Sequence, residues 1–253
     1  MMQQAVSGRA VRALAWKRML RISVAPLATN AGGEVGGGRK LYELRTYTLK
    51  PARYAEFLKM SNEHMHLRTA HSKLIGYWTS ELGGLNEVVH IWEYDSFSQR
   101  TSVRKALAGD KNWIEMYVSK VLPMLTSQQN AVMYLAPWFD QKPNVEQSFG
   151  AYELVAHTVQ PGMVPQYEHR LLQGLPTRLA MNYPKPLGIW YSDIGAGSTV
   201  YQLWPHESQD TRAKHQIKLM ENEVWRETFR DVMKFVQSTY VKILVPVPFS
   251  PLK

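Results

Sequence analysis

The stretches "LYELRTYTLKP" (41–51) and "AYELVAHTVQP" (151–161) lie 110 residues apart and are identical at five of eleven positions. Further pairs follow in the same order: "GYWTSELGGLNEVVHIW" (76–92) with "GIWYSDIGAGSTVYQLW" (188–204), Trp113 with Trp225, and "AVMYLAP" (131–137) with "YVKILVP" (240–246). A period this long is not that of a solenoid, whose units run to roughly 20–50 residues. It has the length of a domain. The chain therefore reads as a tandem duplication, with units at 41–138 and 151–253 joined by "FDQKPNVEQSFG" (139–150), where Pro, Asn and Gly mark a linker.

Within one unit the hydrophobic period changes in a fixed order. Residues 41–49 alternate as a strand, and Pro51 opens a helical stretch over 52–70, at the first-turn position where a missing N–H costs nothing. "LIGYWTSEL" and "NEVVHIWEY" are β-branched and aromatic runs around Gly83-Gly84, which predicts a hairpin. Residues 96–126 read as helix interrupted near Gly109, and 130–137 as a closing strand. The order β-α-β-β-α-β is that of a ferredoxin-like unit in the α+β class. Such a unit carries both helices on one face of an antiparallel sheet and leaves the other face apolar. Duplication supplies a second sheet to cover it, so the two antiparallel sheets are expected to pack as a pseudo-dimer. The repeated residues Tyr42/Tyr152, Leu44/Leu154, Trp78/Trp190, Trp92/Trp204 and Trp113/Trp225 are expected to fill two cores, with Glu43/Glu153 repeated for a buried contact.

Composition narrows the chemistry. The chain has 253 residues, 45% of them hydrophobic, and no cysteine, which excludes disulfides, thiolate zinc sites, iron–sulfur clusters and cysteine nucleophiles. No uninterrupted apolar run is long enough for a transmembrane segment. Of the net charge of +9, six units sit in residues 1–40, where seven basic residues face only Glu34. That distribution argues against nucleic acid as partner. "MMQQAVSGRAVRALAWKRMLRISVAPLATN" has the composition of a mitochondrial transit peptide, with a disordered basic tail as the alternative. "AGGEVGGGRK" (31–40) reads as a flexible joint.

"HLRTAHSKLIGYW" (66–78), "VVHIWEYDSF" (88–97), "RTSVRKALAGDKNW" (100–113) and the final "PFSPLK" (248–253) resemble the NIPSNAP family, and most of all its third-homologue branch. The resemblance spans 41–253. It implies the dimeric α/β-barrel superfamily, with two ferredoxin-like units closing on each other. It also implies a mitochondrial location, with cytosol or vesicles as the alternative. The first two homologues engage autophagy receptors and autophagosomal ubiquitin-like proteins on damaged mitochondria as a mitophagy signal. From the resemblance one expects action through protein–protein interaction in mitochondrial quality control or vesicular trafficking, possible homo-oligomers, no cofactor and no family catalytic residue. The alternative is a small-molecule-binding or cofactor-free enzyme of the dimeric α/β-barrel type.

Two clusters are candidates for chemistry. In "EHMHLRTAHS" (63–72) His64, Arg68 and His71 share a helical stripe. Arginine in the stripe would repel a divalent cation, so an anion or partner contact is expected there and no metal; a solvated helix end is the alternative. Projected by 112 residues, the spacing of Gly76 and Gly188, positions 64, 66, 68 and 71 fall on Pro176, Arg178, Ala180 and Tyr183. No histidine is repeated, and Gly174, Pro176 and Pro184 should shorten or bend the second helix. The other cluster is Glu43, Arg45 and Tyr47 on one strand face and His90 and Trp92 on one face of its neighbour. Sharing a cavity, Glu43, Arg45, Tyr47 and His90 would be a general acid–base set; the alternative is a satisfied internal ion pair. For an autophagy partner, the aromatic-x-x-aliphatic cores "YELV" (152–155), "YSDI" (191–194) and "YVKI" (240–243) match. All three lie in or beside expected strands, with backbone groups already paired.

Overall fold

The computed structural model describes residues 39–139, 148–181 and 183–253. The expected leader, apart from its last two residues, and the middle of the expected linker lie outside them.

Strand β1 (Leu41–Leu49) ends before Pro51, which opens a 3-10 turn (Pro51–Arg53) leading into helix α1 (Tyr54–Thr69). Strands β2 (Lys73–Leu82) and β3 (Glu87–Tyr94) form a hairpin whose turn uses the left-handed region at Gly83 (φ 84°) and Asn86 (φ 56°). Helix α2 (Phe97–Gly109) begins where the Ser96 hydroxyl accepts from the Gln99 N–H at 3.1 Å. It stops at Asp110, whose carboxylate caps the next helix by accepting from the Trp113 N–H at 3.0 Å. That helix runs as α (Lys111–Trp113), π (Ile114–Val118) and α (Ser119–Val121) before a 3-10 turn (Leu122–Met124) and strand β4 (Leu125–Leu135). The closing strand therefore starts five residues earlier than the expected 130, because residues 126–130 face solvent and carry no apolar signal.

The second half repeats these devices. Strand β5 (Ala151–Val159), helix α3 (Val164–Ala180), strands β6 (Gly188–Ile194) and β7 (Thr199–His206), helices α4 (Gln209–Glu221) and α5 (Glu223–Met233) and strand β8 (Val236–Pro246) follow in order. Ser208 and Asn222 cap α4 and α5 as Ser96 and Asp110 do in the first half. Two expectations are corrected. Helix α3 is not shortened: it keeps Pro176 inside its 17 residues, and Gly174 lets Thr228 of α5 come close. The closing strands align at a spacing of 111, since β4 and β8 share one burial pattern and occupy equivalent places beside β1 and β5. From Trp113 to Leu125 there is one more residue than from Trp225 to Val236. The first half absorbs that residue as the π segment, the usual form of a one-residue helical insertion.

The strands make one closed antiparallel barrel in the order β1-β3-β2-β8-β5-β7-β6-β4. Each half contributes four neighbours, β4-β1-β3-β2 and β8-β5-β7-β6, and the ladders β2–β8 and β4–β6 sew them edge to edge. The sheets are thus continuous, and closure leaves no unpaired edge among the described strands. It also makes three cores where two were expected. Tyr42, Leu44, Trp78, Tyr152, Leu154 and Trp190 share the barrel interior, where Trp78 meets Tyr152 (ring centroids 5.5 Å) and Trp190 meets Tyr42 (5.9 Å) across the two halves. Trp92 and Trp113 pack under the helices of the first half, and Trp225 under those of the second. Gly76 and Gly188 are needed because the rings of Trp78 and Trp190 fold back over them, where any Cβ would overlap the indole.

Candidate functional site

Alternation along β1 turns Leu44 into the barrel and Glu43, Arg45 and Tyr47 out toward the helices. Antiparallel register sets Arg45 opposite His90 and Glu43 opposite Trp92. The four expected residues Glu43, Arg45, Tyr47 and His90 therefore share one face between sheet and helices, where Glu43 and His90 are buried and Arg45 and Tyr47 half-buried. They do not share one cavity. A cavity of about 280 Å³ under α1, α2 and the π segment is lined by Arg45, Tyr47, Arg68 and Arg104, with Trp113, Tyr117 and other apolar side chains. Neither Glu43 nor His90 lines it.

Glu43 is held by Arg100, whose Nε and Nη2 donate to its two oxygens at 3.1 and 2.8 Å, and by Asn130 Nδ2 at 2.8 Å. Burial alone would raise this carboxyl, but these donors and Arg45 bring it below the ordinary carboxylate range. His90 accepts from Trp92 Nε1 through Nδ1 at 2.6 Å, stacks on Tyr77 and meets the edge of Tyr47. Burial, then the charges of Arg45 and Arg68, push its pKa well below the ordinary value, so the ring stays neutral. Its Nε2 is buried without a partner, as is Arg45 Nε.

The helical stripe separates into unlike contacts. Arg68 is buried, donates to Tyr94 Oη at 2.9 Å and to Ser72 Oγ, and lies 4.1 Å over the Trp92 ring. His71 Nε2 pairs with the capping Asp110 at 3.1 Å, and His64 Nε2 lies 3.9 Å from Glu63. Arg68 also has a counterpart. The helices align at 110, so its equivalent is Arg178, 3.4 Å over the Trp204 ring, and the projection onto Ala180 is corrected. The two-residue change in spacing falls in the loop after the helix. Among the described residues no three of His, Asp or Glu are grouped to hold a metal ion.

Duplication supplies an internal comparison for each position. Glu153 holds Arg212 as Glu43 holds Arg100, with His206 and Gln216 added; against burial, His206, Arg212 and Arg178 bring its pKa to about 2. Where the first half has Phe57, His90 and Tyr47, the second has Tyr167, Gln202 and His157. There Trp204 Nε1 donates to Gln202 Oε1 (3.1 Å), Gln202 Nε2 to Tyr167 Oη (2.9 Å), and Tyr167 Oη joins His157 Nδ1 (2.8 Å). The same chain stops at His90 in the first half. Arg45 becomes Val155 and Arg104 becomes Gln216. The matching cavity of about 230 Å³ is lined by Arg178, Arg212 and Glu153 together. Cations are thus partly neutralised in the second half. In the first, three arginines line the cavity with no carboxylate among the described lining residues. A further cavity of about 310 Å³, beside Thr46, Gln129, Tyr201 and Tyr240, has no charged side chain among its described lining residues. Sequence reasoning missed Arg100 and Arg104; the signal was present, since Arg100/Arg212 is a repeated pair and Arg104/Gln216 an unrepeated one.

The three aromatic-x-x-aliphatic cores lie in the barrel ladders. Tyr152 is fully buried, and Tyr191 is tied to Glu168 (2.6 Å) and Trp138 (3.3 Å). Tyr240 is exposed on a strand paired with β5.

The NIPSNAP family profile matches residues 42–139 and again 152–251. Protein NipSnap homolog 3A of Homo sapiens is 39% identical over 214 residues, covering 84% of this chain and 85% of that one. Protein NipSnap homolog 3B of Mus musculus is 36% identical over 248 residues, covering 95% and 100%. Among solved structures, a "putative monooxygenase" from Lactobacillus acidophilus NCFM has a TM-score of 0.57 at 16% identity, covering 82% of this chain and 93% of that one. At that identity the likeness is one of fold.

Proposed function

Since the chain belongs to the NIPSNAP family through both of its halves, we propose that it acts as a binding protein whose first half receives a small molecule between sheet and helices. The observation that carries this is the departure of the first half from its own copy. The shared frame keeps Glu43–Arg100 and Arg68–Trp92, while the positions around the cavity change so that three arginines and no carboxylate stand among its described lining residues. Acid–base catalysis finds less support: Glu43 is consumed by Arg100, and His90 is neutral behind the cavity wall. Each half reads as a ferredoxin-like unit, which the strand order β4-β1-β3-β2 and its repeat support.

A thermal-shift screen of small molecules against the full chain and a Val118→Phe variant, which fills the cavity from its wall, tests the reading. Compounds that stabilise the wild type and lose their effect in V118F are expected. If no compound shifts the wild type, or if V118F responds equally, the reading fails.

A second reading keeps the family expectation: action through autophagy receptors and autophagosomal ubiquitin-like proteins, from a mitochondrial location directed by residues 1–40. The exposed apolar side chains Ile217, Met220, Val224 and Phe229 on α4 and α5 favour a protein partner. Proximity labelling in cells with depolarised mitochondria should recover an autophagy adaptor, and its consistent absence would count against the role. Deleting 1–40 should abolish import; unchanged import refutes the address.

A further inference from the structure

Arg45 and Arg104 are pocket cations that donate to no carboxylate among the described residues; Arg45 lies 5.1 Å over the Tyr47 ring, and Arg104 is exposed. Among the described residues neither forms an ion pair, and Arg45 Nε is buried without a hydrogen bond. Arg68 differs, being occupied by Tyr94, Ser72 and the Trp92 ring. The carboxylate nearest in the frame, Glu43, is already taken by Arg100 and Asn130. The second half shows that the architecture needs neither cation: Val155 replaces Arg45, and Gln216 replaces Arg104 and turns to Glu153. Arg45 is half-buried on the sheet and Arg104 is exposed at the rim, and the planar fork of a guanidinium matches an oxyanion.

The opposite wall has another chemistry. The helix that contains the π segment and the turn after it line the cavity with Trp113, Ile114, Tyr117, Val118 and Leu122, and π turns are frequent at functional sites. Leu122 is 50% exposed, so this apolar wall extends to the rim. At about 280 Å³ the space lies near the lower end for ligand cavities.

We propose that this cavity is the binding site for a small amphipathic oxyanion, a carboxylate or phosphate monoester on a short apolar tail, with its head on Arg45 and Arg104 and its tail along Trp113–Leu122. This rests on the small-molecule reading above and names its ligand class.

The test titrates the full chain with sodium octanoate, octyl phosphate and octan-1-ol, following Trp fluorescence and melting temperature, in wild type and in the double variant Arg45→Val, Arg104→Gln. These substitutions install the residues of the second half, so the variant should melt no lower than the wild type when unliganded. The expected result is saturable binding of at least one anion, at least tenfold tighter than the alcohol, and lost at least tenfold in the double variant. The tighter of the two anions identifies the head group. Equal binding of alcohol and anions, or anion binding unchanged in the double variant, overturns the oxyanion assignment while the small-molecule reading stands. If none binds while V118F-sensitive compounds do, the ligand class again fails alone; if nothing binds in either experiment, both fall.

Discussion

Replacing Tyr167 with Phe asks whether the two halves differ as described. Tyr167 is fully buried, and its hydroxyl joins His157 Nδ1 at 2.8 Å and Gln202 Nε2 at 2.9 Å. The first half has Phe57 at the same place, so the barrel accepts the ring itself without strain. Tyr167→Phe removes one oxygen and leaves two buried polar groups without a partner. Each such group costs about 1–3 kcal/mol, and the aromatic volume barely changes, so about 3 kcal/mol is expected in total. For a folded body of this size each kcal/mol moves the melting temperature by about 2–4 °C, which gives a fall of roughly 6–12 °C. Thermal and urea unfolding followed by circular dichroism measure it, with an unchanged urea slope as the sign that only stability moved. A loss below about 1 kcal/mol would refute the claim that Trp204, Gln202, Tyr167 and His157 form a continuous bonded chain where the first half stops at His90.

Glu153→Gln should cost about 3–5 kcal/mol, because it strips the counter-ion from Arg212 and from the buried Arg178; a urea midpoint within error of the wild type would contradict the pairing. Acid should destabilise in two stages. His157 is depressed by burial to about 4, so its stabilising contribution is complete above its unfolded value near 6.5 and is lost as pH falls toward 4. Glu153, at about 2 when folded, contributes fully above about 4.5 and loses it as pH falls toward 2. Each shift corresponds to roughly 3 kcal/mol. Urea unfolding at a series of pH values checks this, and a flat profile from pH 7 to 4 would exclude the first stage. Gly188→Ala places a methyl within the Trp190 indole and should cost about 1–3 kcal/mol or more; an unaltered near-ultraviolet spectrum with unaltered melting would show the close approach to be absent.

Much of the architecture was legible because repetition separates structure from specialisation. Tyr42, Trp78 and their copies are large apolar side chains at fixed places in a period-2 pattern, and such residues are buried wherever that pattern folds. Gly76 and Gly188 were visible as repeats before the indoles above them supplied the reason. The shared face of Glu43, Arg45, Tyr47 and His90 also followed from alternation and strand adjacency. Arg68 was misplaced because the spacing between copies drifts from 110 to 112 to 111. Insertions collect in loops and in one π turn while the helices stay in register with the strands beneath them. A single offset carried through the helix puts Ala180 where the stacked Arg178 belongs.

The role of each charge was not legible from its neighbours in sequence. Glu43 looks like a base until Arg100, 57 residues away, donates both its bonds; Arg104, one turn further along the same helix, reaches the cavity. The duplication, the order of elements and the identity of the buried aromatics belong to the sequence alone, because periodicity and apolar burial are local properties that survive copying. Tertiary structure decided that the halves are sewn edge to edge into one barrel with a shared interior, since hydrogen bonding between β2 and β8 and between β4 and β6 depends on strands far apart in the chain. It also decided which arginines are spent and which remain, because a charge is neutralised only by what the fold brings within bonding distance.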